Sequence, residues 1–144
     1  MSKTIEELCE KYDIENYTIN SDGSIDVNGD VCIQNSEFTK LTLNFNKVTG
    51  DFSCYNNELT SLEGCPKYVG GYFDCDGNLL NDLKGSPKQV DGGFVCKSND
   101  LTSLEGGPEK VGGDFNCGSN YLTNLKGSPK HVGGDFKCYN NDLT

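Results

Sequence analysis

Five cysteines stand at intervals of 21 residues: Cys54, Cys75, Cys96, Cys117 and Cys138. Thiols are soft-metal ligands and disulfide partners, so these positions come first in any search for chemistry. Strands stacked side by side place equivalent side chains about 4.8 Å apart. A structural zinc site needs four ligands converging tetrahedrally, and a straight ladder of thiols does not converge. Adjacent rungs lie within disulfide range, but side chains stacked in parallel are poorly aimed at one another, and five is an odd number. The ladder is therefore read as a run of small buried hydrophobes. Cys9, Cys32 and Cys65 fall outside it; Cys65 shares a slot with Ser86, Gly107 and Ser128, which places it near the surface.

The single histidine, His131, shares its slot with Tyr68, Gln89 and Lys110, a tolerant and exposed position. With no second histidine and no buried nucleophile beside it, nucleophilic catalysis has little support. Glycine runs such as VGGDF recur in every unit and serve turns, so they do not indicate a phosphate cradle. The expectation is a non-enzyme with no catalytic residue, no metal and no cofactor.

The elements that hold the thiols are written in the repeat itself. Val27, Val48, Val69, Val90, Val111 and Val132 are each 21 residues apart, and Gly29, Gly50, Gly71, Gly92, Gly113 and Gly134 follow in register. Phe52, Phe73, Phe94, Phe115 and Phe136 precede the cysteines, and Asn57, Asn78, Asn99, Asn120 and Asn141 follow them. Two leucine columns, a glycine column and all four prolines complete the unit V-x-G-x-F-x-C-x-x-N-x-L-x-x-L-x-G-x-P-x-x. A divergent first copy starts at Val27, with Val31, Ile33, Phe38 and Leu41 in the apolar slots. Self-similarity at a fixed short period is the mark of a solenoid. F-x-C alternates with the period of a strand, so each coil is expected to hold one short strand and an irregular return. The asparagine is placed to satisfy turn backbone groups. The glycine of V-x-G is read as permitting a backbone angle that a Cβ forbids.

The stretch F-x-C-x-x-N-x-L-x-x-L resembles the hallmark of leucine-rich repeats, L-x-L-x-x-N-x-L. The 21-residue unit is similar to the short repeats of bacterial effectors and many phage proteins, over about residues 27–144. Two departures are evident: Phe73 falls four positions after Val69 where the effector class has three, and Phe and Cys replace Leu and Val. The resemblance implies protein recognition through a strand face, without the effector ligase domain.

The expected organisation is an N-terminal cap over residues 1–26 and a solenoid of about five and a half coils over 27–144. Thr4 and Glu7 fit a capping box, and Ile5, Leu8, Cys9 and Tyr12 form the apolar stripe of a two-turn helix. Tyr17 to Ile19 and Ile25 to Val27 flank Ser21-Asp22-Gly23-Ser24 as a hairpin. The chain reaches Leu143-Thr144 in mid-coil, and an open parallel edge invites self-association, so a homo-oligomer through that coil is expected. The acidic N-terminus lacks the basic start and apolar run of a signal peptide, and no stretch approaches the roughly 18–20 apolar residues of a span. A cytoplasmic protein with no membrane role is expected.

Twelve lysines and no arginine stand against 22 acids, a net charge of −10. Such a balance argues against direct binding of a phosphate backbone, which needs dense cations. The column Glu63, Lys84, Glu105, Lys126 alternates in sign and is read as a cross-coil charge ladder. The outward slots of the F-x-C strands vary in charge and size: Asp51, Ser53, Tyr55; Tyr72, Asp74, Asp76; Gly93, Val95, Lys97; Asp114, Asn116, Gly118; Asp135, Lys137, Tyr139. Tyrosine is favoured at interfaces, and the face is a candidate for partner binding; ordinary solvated strand surface is the competing reading. The expected function is a protein-binding module, such as a small phage or bacterial inhibitor of a host complex. Alternatives are an acidic nucleic-acid mimic and a structural, self-assembling module.

Overall fold

The computed structural model describes residues 3–34 and 39–144; Phe38, assigned above to an apolar slot, lies outside the described residues. In chain order the elements are α1 (Ile5–Lys11), β1 (Tyr17–Ile19), β2 (Ile25–Val27), β3 (Val31–Cys32), β4 (Phe45–Val48), β5 (Phe52–Ser53) and β6 (Tyr68–Val69). There follow β7 (Phe73–Asp74), β8 (Gln89–Val90), β9 (Phe94–Val95), β10 (Lys110–Val111), β11 (Phe115–Asn116), β12 (His131–Val132) and β13 (Phe136–Lys137). The architecture is a parallel β-solenoid, mostly β, with one short N-terminal helix.

Each coil carries two short strands, which corrects the expectation of one strand and a return. Among the described residues, one sheet runs β1-β2-β4-β6-β8-β10-β12 and the other β3-β5-β7-β9-β11-β13. The first is built on the valine column and the second on the phenylalanine column. Valine at every 21st position and its preceding residue pair in parallel from coil to coil, Tyr68↔Gln89 and Val69↔Val90 for example. A lone buried valine per coil shows no alternation, so periodicity alone could not reveal this sheet.

Two glycines make the corner between the sheets in three coils, Gly70-Gly71, Gly112-Gly113 and Gly133-Gly134; in the others Asn28, Thr49 or Asp91 precedes a single glycine. A Cβ at Gly112 would lie 2.1 Å from the Asp91 carbonyl oxygen, and one at Gly133 2.1 Å from that of Gly112. The need here is space between stacked backbones. The V-x-G glycines of the later coils do not take a left-handed φ, contrary to the expected reason; the left-handed glycine is that of G-x-P, as at Gly85 with φ +91°.

Val48, Val69, Val90, Phe52, Phe73, Phe94, Leu80, Leu83, Leu101 and Leu104 are fully buried. The phenylalanine rings stack along the axis, Phe73 on Phe94 at 4.9 Å and Phe94 on Phe115 at 5.4 Å between centroids. Burying such a side chain contributes about 1.5–3 kcal/mol, so a low overall apolar content suffices when every coil buries the same few columns. In the last coil Phe136 is 36% exposed.

The cap follows the sequence closely. Thr4 Oγ1 accepts the Glu7 N–H at 3.1 Å and donates to the Glu7 carboxylate at 3.2 Å. Cys9 is buried, with Ile5, Leu8 and Tyr12 packed half-buried against the core. β1 and β2 pair antiparallel, Tyr17↔Val27 to Ile19↔Ile25. β2 is also the first rung of the valine sheet, in parallel with β4, so cap and solenoid share one sheet.

Candidate interaction surface

The asparagine ladder is the internal frame on which the outer faces are mounted. Asn99 Nδ2 donates to the carbonyls of Cys75 (3.1 Å), Cys96 (3.2 Å) and Lys97 (3.1 Å), and its Oδ1 accepts the Leu80 N–H at 3.1 Å. Each amide thus ties its own coil to the preceding one inside the core. The residue just before it is left-handed in every coil: Asn56, Gly77, Ser98, Ser119 and Asn140. Glycine and asparagine tolerate that conformation; Ser98 and Ser119 adopt it without that ease.

The thiols point inward. Cys54, Cys75, Cys96 and Cys117 are fully buried, and all eight cysteines are unpaired. Cys75, Cys96 and Cys117 each donate to a carbonyl of the next coil, at 3.4–3.5 Å. Burial pushes the Cys117 thiol up to about 12 and drives Cys75 and Cys96 well above the ordinary thiol value. Cys65 corrects the expectation of a surface position. It is 5% exposed, its thiol meets that of Cys54, and burial raises its pKa strongly. The left-handed Gly64 turns the next side chain toward the core, as shown by the same slot at Gly107, where a Cβ would touch Leu83 Cδ1 at 3.0 Å. His131 is exposed on the outer face of the valine sheet, and among the described residues no group of three or more His, Cys, Asp or Glu converges as metal ligands.

The candidate binding residues do share one face, the outside of the phenylalanine sheet. Asp51, Tyr72, Asp114 and Asp135 form its first column, Ser53, Asp74, Val95, Asn116 and Lys137 its second, and Tyr55, Asp76, Lys97 and Tyr139 its third. Their availability differs. Asp51 Oδ1 accepts the Tyr72 N–H at 2.8 Å, and Asp114 Oδ1 accepts the Asp135 N–H at 2.8 Å. Asp30, which the sequence reading missed, does the same for Asp51. These carboxylates seat one coil on the next; the Asp135 N–H and Lys137, 3.4 Å away, hold Asp114 below the usual carboxylate range. Asp74 accepts the Asp76 N–H at 2.9 Å, and partial burial raises its pKa.

The tyrosines use the face differently. Tyr72 is 59% exposed with its ring over Gly93, where a Cβ would fall 2.7 Å from Cε1. Tyr139 is 48% exposed and covers Gly118 in the same way, at 2.5 Å from Cζ. The glycines in these outward slots are therefore seats for rings. Each ring lies along the sheet and offers one open side.

The return carries a column that sequence reading also missed: Ser61, Asp82, Ser103 and Asn124 each accept the N–H two residues on, at 2.9–3.0 Å. Side chains of these types close such turns. The neighbouring Glu63, Lys84, Glu105 and Lys126 are exposed, but the ion pairs among the described residues are Lys84–Asp82 (3.9 Å) and Lys137–Asp114 (3.4 Å). The expected charge ladder is thus not closed by contact: exposed side chains gain little from pairing across a rung and lose rotamer freedom.

The outside of the valine sheet presents two columns: Asn46, Lys67, Lys88, Glu109 and Lys130, beside Lys47, Tyr68, Gln89, Lys110 and His131. A signal for this face was present in the lysine spacing, and is visible once the valine column is known to be a strand. Tyr68 donates to Asp91, Gln89 donates to the same carboxylate at 2.9 Å, and Lys47 stands 5.6 Å from the Tyr68 ring centre.

Comparison with protein-family models, with curated proteins and with solved structures finds no match to this chain. Among the described residues, no helix is long and apolar enough to cross a membrane.

Proposed function

We propose that the chain is a non-catalytic protein-binding module that engages another protein through the outside of the phenylalanine sheet, as a small phage or bacterial inhibitor would. One observation carries this reading. The inward side chains of each rung repeat almost unchanged and are buried up to the last coil, whereas the outward ones on the same rungs change in charge and size from Ser53 to Asp74, Val95, Asn116 and Lys137. A solenoid that holds its core constant while its surface varies offers an extended, specific contact face. Tyr72 and Tyr139 supply rigid contact area at low entropic cost. The leucine-rich-repeat resemblance supports the same reading, and unpaired thiols fit a reducing, cytoplasmic setting.

The test is affinity capture from a bacterial lysate with the wild type and with Tyr55→Ala/Asp74→Ala/Asp76→Ala. A partner retained by the wild type and lost by the variant supports the face; retention by both removes it.

A further inference from the structure

The outside of the valine sheet carries charge opposite in sign to the whole molecule. From β4 onward the ten positions in its two columns hold five of the twelve lysines against one glutamate, a net of +4 on a chain of net −10; the β2 rung before them adds Asp26, opposite Lys47, which brings the face to +3. Lys47, Lys67, Lys88, Lys110 and Lys130 are all exposed, one on each successive coil. Their order follows from the backbone: Lys88 N donates to the Lys67 carbonyl at 2.9 Å, and Lys130 N to that of Glu109 at 2.9 Å. Equivalent positions on successive rungs are about 4.8 Å apart, so Lys67, Lys88 and Lys130 follow one column along the solenoid axis, interrupted by Glu109, and Lys47 and Lys110 stand in the column beside it.

These lysines are poorly neutralised from within. Lys67 and Lys88 are direct cross-rung neighbours, an arrangement of like charges that disfavours itself, and neither is in an ion pair among the described residues. Asp22 in the hairpin turn lies near enough to Lys67, and Asp91 near enough to Lys110, for each carboxyl to feel the ammonium. The Asp91 carboxylate is already occupied by Tyr68 and Gln89. A groove of about 300 Å³ opens beside Lys67 and Lys88, over Gly64, Gly85 and Ser86, with Glu63 on its rim.

We propose that this lysine-lined face is a second docking surface, separate from the phenylalanine sheet, and that its partner is an acidic polypeptide segment lying along the axis. Charge complementarity over successive coils is the argument for the occupant. A duplex carries one charge per about 1.7 Å and would spread that charge over the acidic neighbouring face. An extended peptide confines its same-side carboxylates to a strip, spaced about 6.6 Å apart, which suits a line two columns wide.

The experiment titrates the full chain into a fluorescent deca-glutamate peptide and reads anisotropy at about 30 and about 300 mM salt, where screening lengths differ roughly threefold. The proposal expects binding at low salt, although both molecules are negative, and a loss of about tenfold or more at high salt. Lys67→Gln/Lys88→Gln/Lys110→Gln should weaken binding about tenfold at low salt, Lys88→Glu alone by several-fold, and Asp74→Asn/Asp76→Asn should leave it unchanged or tighter. Circular dichroism checks that each variant keeps the fold. No binding by the wild type, or binding indifferent to the lysines, overturns the proposal. So does an oligothymidylate of equal charge that binds as tightly through the same lysines, since the face would then select charge alone. Loss of partner capture at Tyr55, Asp74 and Asp76 is read independently, so the two surfaces can fail separately.

Discussion

The two sheets share one chain, one rung spacing and one parallel direction, but they are built differently on both sides. Inward, the valine sheet offers a single column of small β-branched side chains, while the phenylalanine sheet offers stacked rings followed by thiols. The phenylalanine sheet is tied at its exit by the asparagine ladder. The valine sheet runs into a bare glycine corner, where adjacent backbones come too close for a Cβ. Outward, lysines line one sheet and carboxylates with tyrosines line the other. Volume and buried hydrogen bonds are thus concentrated behind one sheet, and close backbone approach shapes the edge of the other.

This contrast can be broken at its core first. Phe94→Ala should cost about 3–5 kcal/mol, whereas Val90→Ala, which removes less buried hydrocarbon, should cost about 2 kcal/mol. Urea denaturation of both variants checks the difference; equal losses would mean that the sheets share the load. The asparagine ladder comes next. Asn99→Ala leaves the Leu80 N–H and several carbonyls without their buried partner, and each such group costs about 1–3 kcal/mol. Asn141→Ala, in the half-buried last coil, should cost less.

The glycine corner tests the other side of the comparison. Gly112→Ala forces a methyl against the Asp91 carbonyl and should cost about 1–3 kcal/mol by overpacking. Gly133→Ala makes the same kind of clash, with the Gly112 carbonyl, in a coil whose phenylalanine is 36% exposed rather than fully buried, and should cost less because less packing resists a shift. Differential scanning calorimetry separates the two. The smallest effect is at alkaline pH. Thiols whose pKa is raised in the fold, Cys75, Cys96 and Cys117, favour the folded state most where they stay protonated. Their contribution is complete below the ordinary value of 9.0 and is lost as pH rises from there toward about 12. Denaturation midpoints should fall across that window, and replacing Cys96 with Ala should flatten the fall. A midpoint independent of pH there would show that the thiols are not what the burial implies.

Much of this was legible in the residues. The 21-residue columns predicted the ladder, the inward Phe, Cys and Leu and the asparagine bonds, because each column is one environment repeated; the helix cap and the hairpin were legible to the residue from local capping and turn signals. The failures share a cause. A column says that positions are equivalent but not which way they face. Cys65 was assigned outward from its polar companions, yet Gly64 turns it in. Gly93 and Gly118 were read as variable surface and are seats for the rings of Tyr72 and Tyr139. Asp51 and Asp114 were candidates for binding, and they already accept backbone N–H groups of the following coil.

The amino-acid sequence alone determined the period and the identity of the core columns, since burial repeats wherever the chain repeats, and the cap, whose capping box and hairpin turn are local signals. The tertiary structure decided that valine makes a second sheet, where the glycines turn the corner, and that five lysines fall on one face. Those features depend on contacts between residues 21 apart and on backbone direction at two turns, and neither can be read from spacing along a single chain.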